Sequence, residues 1–441
     1  MLAQSCIAGN TVVKLAESIE TGIRTGALAA GERLPPIRTV AEHLGVSPAT
    51  VSSAFRRLQQ RGLLTAQGRS GTIVSRRLPL PAHAAPSPRE NVFDCATGNP
   101  DPKLLPKLGP ALAAVRRTQT LYDAPPCHPD LVRLGGEQYR RDGLDVARIC
   151  VVNGSLDGIE RALAESLFAG DRVVVEDPCF NGVLDLLRAR GLVPVPVRLD
   201  ESGMIPEALE SAIKQRPKAL IVTPRAQNPT GAALTSERAA ALREVLAKAP
   251  ELIVVEDDYE ADLSGVPYAG LCQDWPGRWV VVRSLCKGLG PDLRIALVGG
   301  DEQTISMIEG RQILGIRWVS HLLQDMAVHY LGDPDTQKRV KHARATYEKR
   351  RVALRETLDA RGVESMGRSG FNVWVPVLDE ASVTQELLQA GWLVTPGQRY
   401  RVQSAPGIRV SAATLDVKLA PRLAQSIASA VHGAGASRTA V

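Results

Sequence analysis

Residues 284–294 read SLCKGLGPDLR and follow, after Arg283, the apolar run WVVV at 279–282. A continuous apolar run of this length reads as a strand buried on both faces of a parallel sheet. Lys287 is therefore carried off a strand end into a loop punctuated by Gly and Pro. A lysine in such a loop is usually a solvated surface residue. The residues at the ends of the other strands decide whether this one is different.

The same pattern recurs at 149–152, VVVE at 173–176, ALIVT at 219–223, LIVVE at 252–256 and IALVGG at 295–300, with amphipathic helical segments between. That alternation predicts an α/β fold, a mostly parallel sheet with helices on both faces. Ligands of such sheets sit beyond the carboxyl ends of the strands. The first run leads into NGSLDG, placing Gly154, Ser155 and Leu156 at a helix start whose amides can hold a phosphate. VVVE leads into DPCF, with Phe180 as a ring able to stack on a flat ligand. ALIVT leads into PRAQNPTG with Asn228, LIVVE into DDYE with Asp257 and Tyr259, and WVVV into Ser284, Lys287 and Arg294.

Together these groups suit one ligand. Helix-start amides, hydroxyls and an arginine suit a phosphate, and Phe180 suits a heteroaromatic ring. A carboxylate suits a pyridine nitrogen, Asn and Tyr a phenolate oxygen, and a lysine an aldehyde. Pyridoxal 5′-phosphate carries the whole set. The order and spacing resemble fold-type I pyridoxal-phosphate enzymes, the aspartate aminotransferase superfamily. The resemblance implies Lys287 as the Schiff-base lysine, Asp257 as partner of the pyridine nitrogen, Tyr259 and Asn228 as contacts to the ring oxygen, and Phe180 as the stacking ring. It gives the phosphate to Gly154, Ser155, Leu156, Ser284 and Arg294. By the same resemblance Arg409, in GIRVS, grips a substrate or effector carboxylate. Tyr122, in LYDAP, reaches the phosphate of a neighbouring subunit, which implies a homodimer. The choice of Asp257 over its neighbours Glu256 and Asp258 rests on the family pattern alone.

The 441 residues suffice for two or three domains, and the charge is unevenly placed along them. Residues 1–80 hold ten basic and four acidic residues, so this fifth of the chain carries all of the net +6. A polyanion, nucleic acid first, is the expected partner there. Residues 11–26 place Val12, Leu15, Ile19 and Ile23 at helical spacing. LPPIRTVAEHLG predicts a second helix ended by Gly45. SPATVSSAFRRLQQRG predicts a third, with Ser47 as N-cap and Pro48 in its first turn. Two apolar runs around GRSG then predict a hairpin.

The run LPPIRTVAEHLGVSPATVSSAFRRLQQRGLLTAQGRSGTIV resembles the winged helix-turn-helix of the GntR family. It implies DNA contacts at Arg38, Ser47, Thr50 and Arg69. Arg56 and Arg57 are either phosphate contacts or a solvated helix face. Many relatives carry a basic residue where this chain has Pro48, so one such contact is missing here. The expected domains are a winged helix at 1–77, a Pro/Ala-rich linker at 78–90 (LPLPAHAAPSPRE) and an aminotransferase-like, pyridoxal-phosphate-binding domain at 91–441 with a smaller C-terminal α+β part.

That combination resembles the MocR/GabR regulators, and within them ATGNPDPKLLP and KGLGPDLR look most like the PtsJ group, which implies control of vitamin B6 salvage. The implied function is a transcriptional regulator that binds operator DNA and senses pyridoxal phosphate, an amine or an amino acid. An active aminotransferase is the alternative, and a dimerising scaffold a weaker one. The seven cysteines form no CxxC pair and sit beside no histidine cluster, so neither a disulfide framework nor a metal site is expected. No apolar stretch approaches the ~20 residues of a membrane span. The N-terminus lacks the order of a secretion signal, which makes a cytoplasmic protein the expectation.

Overall fold

The computed structural model describes residues 7–25, 27–29, 31–60, 63–66, 71–75 and 91–436. The chain divides into two compact units, one formed mainly by the N-terminal segment and one by most of the rest.

In the N-terminal unit, α1 (Val12–Thr25), α2 (Ile37–Leu44) and α3 (Pro48–Gln60) precede the antiparallel hairpin of β1 (Leu64–Ala66) and β2 (Thr72–Val74). Gly45 ends α2 in the left-handed region, φ 65°, which a residue with a Cβ adopts only at a cost. At the start of α3 the Ser47 hydroxyl accepts the Thr50 N–H at 3.1 Å, satisfying one of the helix's unpaired donors. Leu15, Ile19, Val40, Val51, Phe55, Leu58, Leu64 and Val74 form its core. With so small a core, truncating Phe55 to alanine is expected to cost about 3–5 kcal/mol.

The large unit opens with β3 (Phe93–Asp94) and contains an eight-stranded sheet. Its strands are β4 (Arg148–Val152), β5 (Arg172–Asp177), β6 (Val193–Asp200), β7 (Gly203–Met204), β8 (Ala219–Val222), β9 (Ile253–Asp257), β10 (Trp279–Ser284) and β11 (Ala296–Gly300). Their order is β4-β11-β10-β9-β8-β5-β6-β7. The pairs β5–β8, β8–β9 and β9–β10 are parallel, whereas β11 runs antiparallel to both of its neighbours. Each expected apolar run is a strand, and Asp257 and Ser284 are the last residues of theirs.

A smaller three-stranded antiparallel sheet joins β12 (Asn372–Pro376), β14 (Thr395–Pro396) and β15 (Gly407–Ser411). Between them in sequence, β13 (Trp392–Leu393) pairs in parallel with β3. This sheet and its helices have their own core, in which Trp392, Val373, Leu387, Val410 and Leu423 are buried. Among the described residues no helix is long and apolar enough to cross a membrane.

Candidate functional site

Beyond the carboxyl ends of β5, β8, β9 and β10 lies a cavity of about 300 Å³. Ser155, Leu156, Phe180, Asn228, Asp257, Tyr259, Ser284, Lys287, Arg294 and Arg409 all line it. The ends of five strands thus bring together nine of the expected site residues, and β15 of the smaller sheet adds Arg409.

Where Ser155 and Arg294 line the cavity, Gly154 precedes the helix Ser155–Ala164, which has no side-chain N-cap bond. Its first-turn amides remain available to an anion. Gly154 has φ 90°, and a Cβ there would lie 2.7 Å from Arg294 Nη2, so only glycine lets the guanidinium come this close. Arg294 in turn donates to the Asn153 carbonyl at 3.4 Å. Ser284 Oγ accepts the Cys286 N–H at 3.2 Å, which fixes the turn that presents Lys287.

Strand alternation separates the three acids at the end of β9. Glu256 accepts the Tyr268 hydroxyl and the Leu271 and Cys272 amides. Asp258 is clamped by two buried arginines, Arg225 at 2.7 and 2.8 Å and Arg283 at 2.9 Å. Although burial opposes it, these arginines hold Asp258 below the usual carboxylate range. Asp257 alone of the three lines the cavity, and its Oδ1 has no partner. Burial pushes Asp257 up to about 7, against the pull of the adjacent Ser155 hydroxyl. A buried carboxylate with a free oxygen facing a cavity suits a cationic N–H donor.

Lys287 Nζ donates to the Gly98 carbonyl at 2.6 Å and lies 5.4 Å from the centre of the Phe371 ring. Burial lowers its pKa, Glu260 opposes that shift and Arg409 adds to it. Tyr259 donates its hydroxyl to Ala226 O at 2.7 Å. Arg409, buried on β15, gives Nη1 to Asn228 Oδ1 at 3.1 Å and Nη2 to both Ala96 O and Thr395 Oγ1. Both guanidinium forks run through Nη2, so no two adjacent N–H groups remain for a bidentate carboxylate. Tyr122 is absent from the cavity lining, is 78% exposed and packs edge-on against Trp318 at 5.8 Å.

The sequence reading missed several residues. Thr97, Gly98, Thr223, Cys286 and Asn372 also line the cavity. Glu260 is buried beside Tyr259 with both carboxyl oxygens unpartnered. A fourth acid in EDDYE was the signal for Glu260. Nothing local marks Asn372, which a distant strand delivers.

In the N-terminal unit Arg38, Ser47, Arg56 and Arg57 are exposed and Thr50 is half-buried. Ser47 and Thr50 bond to each other through their hydroxyls at 2.9 Å. Arg69 lies outside the described residues.

Residues 11–74 match the family described as bacterial regulatory proteins, gntR family, and residues 92–427 match aminotransferase class I and II. The vitamin B6 salvage pathway transcriptional repressor PtsJ of Salmonella typhimurium is 39% identical over 430 residues, covering 97% of this chain and 100% of that protein. The chain belongs to the MocR/GabR family. The HTH-type transcriptional regulator TauR of Rhodobacter capsulatus is 26% identical, covering 88% of this chain and 89% of its own. In fold, the MocR/GabR large unit is similar to the α-aminoadipate aminotransferase LysN of Thermus thermophilus. That match has a TM-score of 0.69 at 22% identity and covers 79% of this chain and 94% of LysN.

As in other MocR/GabR regulators, the winged helix makes the chain a DNA-binding transcriptional regulator. Pyridoxal 5′-phosphate is the cofactor of its aminotransferase-like domain. The unpartnered Asp257 oxygen and the Gly154–Arg294 approach fit that cofactor's ring nitrogen and phosphate.

Proposed function

We propose that this regulator reads pyridoxal 5′-phosphate itself and controls genes of vitamin B6 salvage, as the name of its Salmonella relative says of that protein. The observation that carries this reading is how the cavity's two key cations are bonded. Lys287 holds the Gly98 carbonyl, and Arg409 holds the Ala96 carbonyl. Capturing an amino-acid carboxylate would require Arg409 to give up Ala96 or Thr395. Capturing an aldehyde requires only that Lys287 leave Gly98.

In this reading Ser155, Leu156, Ser284, Arg294 and Gly154 hold the phosphate, Phe180 covers the ring and Asp257 takes the ring nitrogen. Asn228 and Tyr259 face the ring oxygen, and Arg409 keeps Asn228 oriented. Bound there, the cofactor supplies an electrophilic aldehyde carbon to Lys287.

The carbonyls that Lys287 and Arg409 hold belong to one short strap. From Ala96 the chain runs back through Cys95, whose carbonyl accepts the Ser411 N–H at 2.7 Å, to β3 and then to residue 91, where the linker ends. Moving Lys287 off Gly98 frees one anchor of the strap that leads to the DNA-binding unit. A ligand biases two arrangements only by its difference in affinity for them, and the freed anchor supplies such a difference.

A homodimer completes the reading. Leu108, Leu112, Leu121, Tyr122, Leu314 and Leu322 are large apolar residues left exposed. Their segments are joined by the Arg116–Asp325 ion pair and the Tyr122–Trp318 contact, so they supply an apolar surface suited to a second copy. Two winged helices would then read paired half-sites.

Hydrogen exchange of the full-length protein tests the strap. Amides 95–98 should exchange faster with pyridoxal phosphate in the wild type and unchanged in Lys287→Ala. Equal exchange with and without cofactor in the wild type would remove the strap from the account.

A further inference from the structure

Asp177, the last residue of β5, is 3% exposed, and both of its carboxyl oxygens accept from the loop between β14 and β15. Oδ1 accepts the Val402 N–H at 2.9 Å and the Ser404 hydroxyl at 2.8 Å. Oδ2 accepts the Gln403 and Ser404 N–H groups at 2.7 and 2.8 Å. Two residues on, the Cys179 N–H donates to the Tyr400 carbonyl at 2.7 Å. A second acid holds the loop from the other side: Glu380, on the helix Glu380–Gln389, accepts the Gln398 and Gly407 N–H groups at 2.5 and 3.2 Å. Residues 398–407 therefore bridge two carboxylates, one at a strand end of the eight-stranded sheet and one beside the smaller sheet, which has its own core.

Each side of this bridge carries a group that lines the cofactor cavity. On the strand side Phe180 follows Cys179. A Cβ on Gly182 would lie 2.5 Å from Phe180 Cε1, so the ring has little room to shift that way. On the loop side the buried Tyr400 ring supports the Arg409 guanidinium, whose carbon lies 5.2 Å from the ring centre. A cation over an aromatic face is attracted to it. Arg409 in turn holds Asn228 and the Ala96 carbonyl. Phe180 and Arg409 are thus joined through the bonds that Asp177 and Cys179 make to the loop.

We propose that Asp177 is a positioning residue for cofactor binding: by docking residues 400–404 on the strand end, it sets Phe180 over the ring and Arg409 against the Ala96 strap together. This rests on the reading that Phe180 covers the cofactor ring. A carboxylate suits the position because it offers acceptors only, and all four groups that meet it are donors. Such charge-assisted bonds are stronger than neutral ones, so the loop and the strand end move as one piece. A ring seated under Phe180 then favours the arrangement in which Arg409 keeps its hold. Lys287 answers to the aldehyde of the ligand, and the Asp177 bridge answers to its ring.

The test is the affinity of the full-length protein for 4′-deoxypyridoxine 5′-phosphate, which keeps the ring and the phosphate but has no aldehyde, so capture by Lys287 plays no part. Phe180→Ala and Arg409→Lys are measured singly and together by fluorescence titration. With the bridge intact, the double variant should lose less affinity than the product of the two single losses, by a factor of about five, the usual scale for residues in one network. Asp177→Asn turns one acceptor oxygen into a donor that faces N–H groups. In that background the two losses should multiply to within about twofold. Ser404→Ala removes the hydroxyl bond alone; it should lower the factor part of the way, and it serves as the reading if the asparagine variant does not fold. A role confined to packing would weaken binding in every background and leave the factor unchanged. That result, or losses that already multiply with Asp177 in place, overturns the proposal. If Phe180→Ala alone binds the analogue as tightly as the wild type, the reading that Phe180 covers the ring fails, and the proposal with it. If it binds more weakly while the factor is unmoved by the Asp177 and Ser404 variants, only the role of Asp177 fails.

Discussion

Lys287 Nζ donates to the carbonyl of Gly98 at 2.6 Å, across 189 residues of sequence. The lysine that would take the cofactor thus anchors the segment just beyond the interdomain linker. Lys287→Ala should fold, because a half-buried side chain is truncated to a good helix former, but it should show no visible absorption after incubation with pyridoxal phosphate and desalting. A retained band would show that another group captures the aldehyde.

A substitution at Gly154 tests the phosphate site apart from the rest of the ligand. In Gly154→Ala the new Cβ collides with Arg294 Nη2, and φ 90° adds strain of roughly 1–3 kcal/mol. The affinity for pyridoxal phosphate should fall at least about tenfold while that for unphosphorylated pyridoxal changes little, read by fluorescence titration of both vitamers. Equal losses for the two would mean that Gly154 does not shape a phosphate site.

Three buried acids give the cofactor-free protein a pH dependence of known sign. Burial raises Asp257 and Glu260 to about 7 and Glu176 to about 8. Each binds a proton more tightly folded than unfolded, so the stability it contributes is present at low pH and is lost as pH rises from about 4 through 7 to 8. Thermal melts of the cofactor-free protein should show a lower Tm at pH 8 than at pH 6, with the gap narrowing in Asp257→Asn. A higher Tm at pH 8, or a gap unchanged in the variant, would contradict these protonation states.

Salt dependence separates DNA contacts at the exposed Arg56 and Arg57 of α3 from a merely solvated face. If Arg56 and Arg57 each neutralise a phosphate, the double alanine variant should lower the slope of log affinity against log salt by about two and weaken different sequences alike. An unchanged slope would mark both as solvent-facing only.

The strand-end chemistry was legible because continuous apolar runs announce buried strands and a ligand site lies beyond their carboxyl ends. Lys287, Asn228, Phe180 and Ser155 fell into place on that argument. So did the second and third helices, whose ends carry their own signals in Gly45 and Ser47. Groups that depend on long-range packing were not legible. Arg225 and Arg283 single out Asp257 by occupying Asp258, and they come from other strand ends. Gly98 enters the cavity only because β3 pairs with β13 some 300 positions along the chain. Alternation in EDDYE predicts opposite faces for Glu256 and Asp257 but cannot say which face holds the ligand. The resemblance implied Arg409 as a carboxylate clamp, whereas nothing local in the sequence marks its bonds to Ala96, Thr395 and Asn228. Tyr122 is placed outside the cavity of its own chain, where only a second copy could give it a role in binding.

The measurement that bears most directly on the account is the affinity of the full-length protein for DNA upstream of vitamin B6 salvage genes and of its own gene, with and without pyridoxal phosphate, in the wild type and in Lys287→Ala. The account predicts that the cofactor changes wild-type affinity by about tenfold, within the usual range of allosteric coupling, and leaves the variant's affinity unchanged. An equal response in both proteins, or none in the wild type, would contradict it.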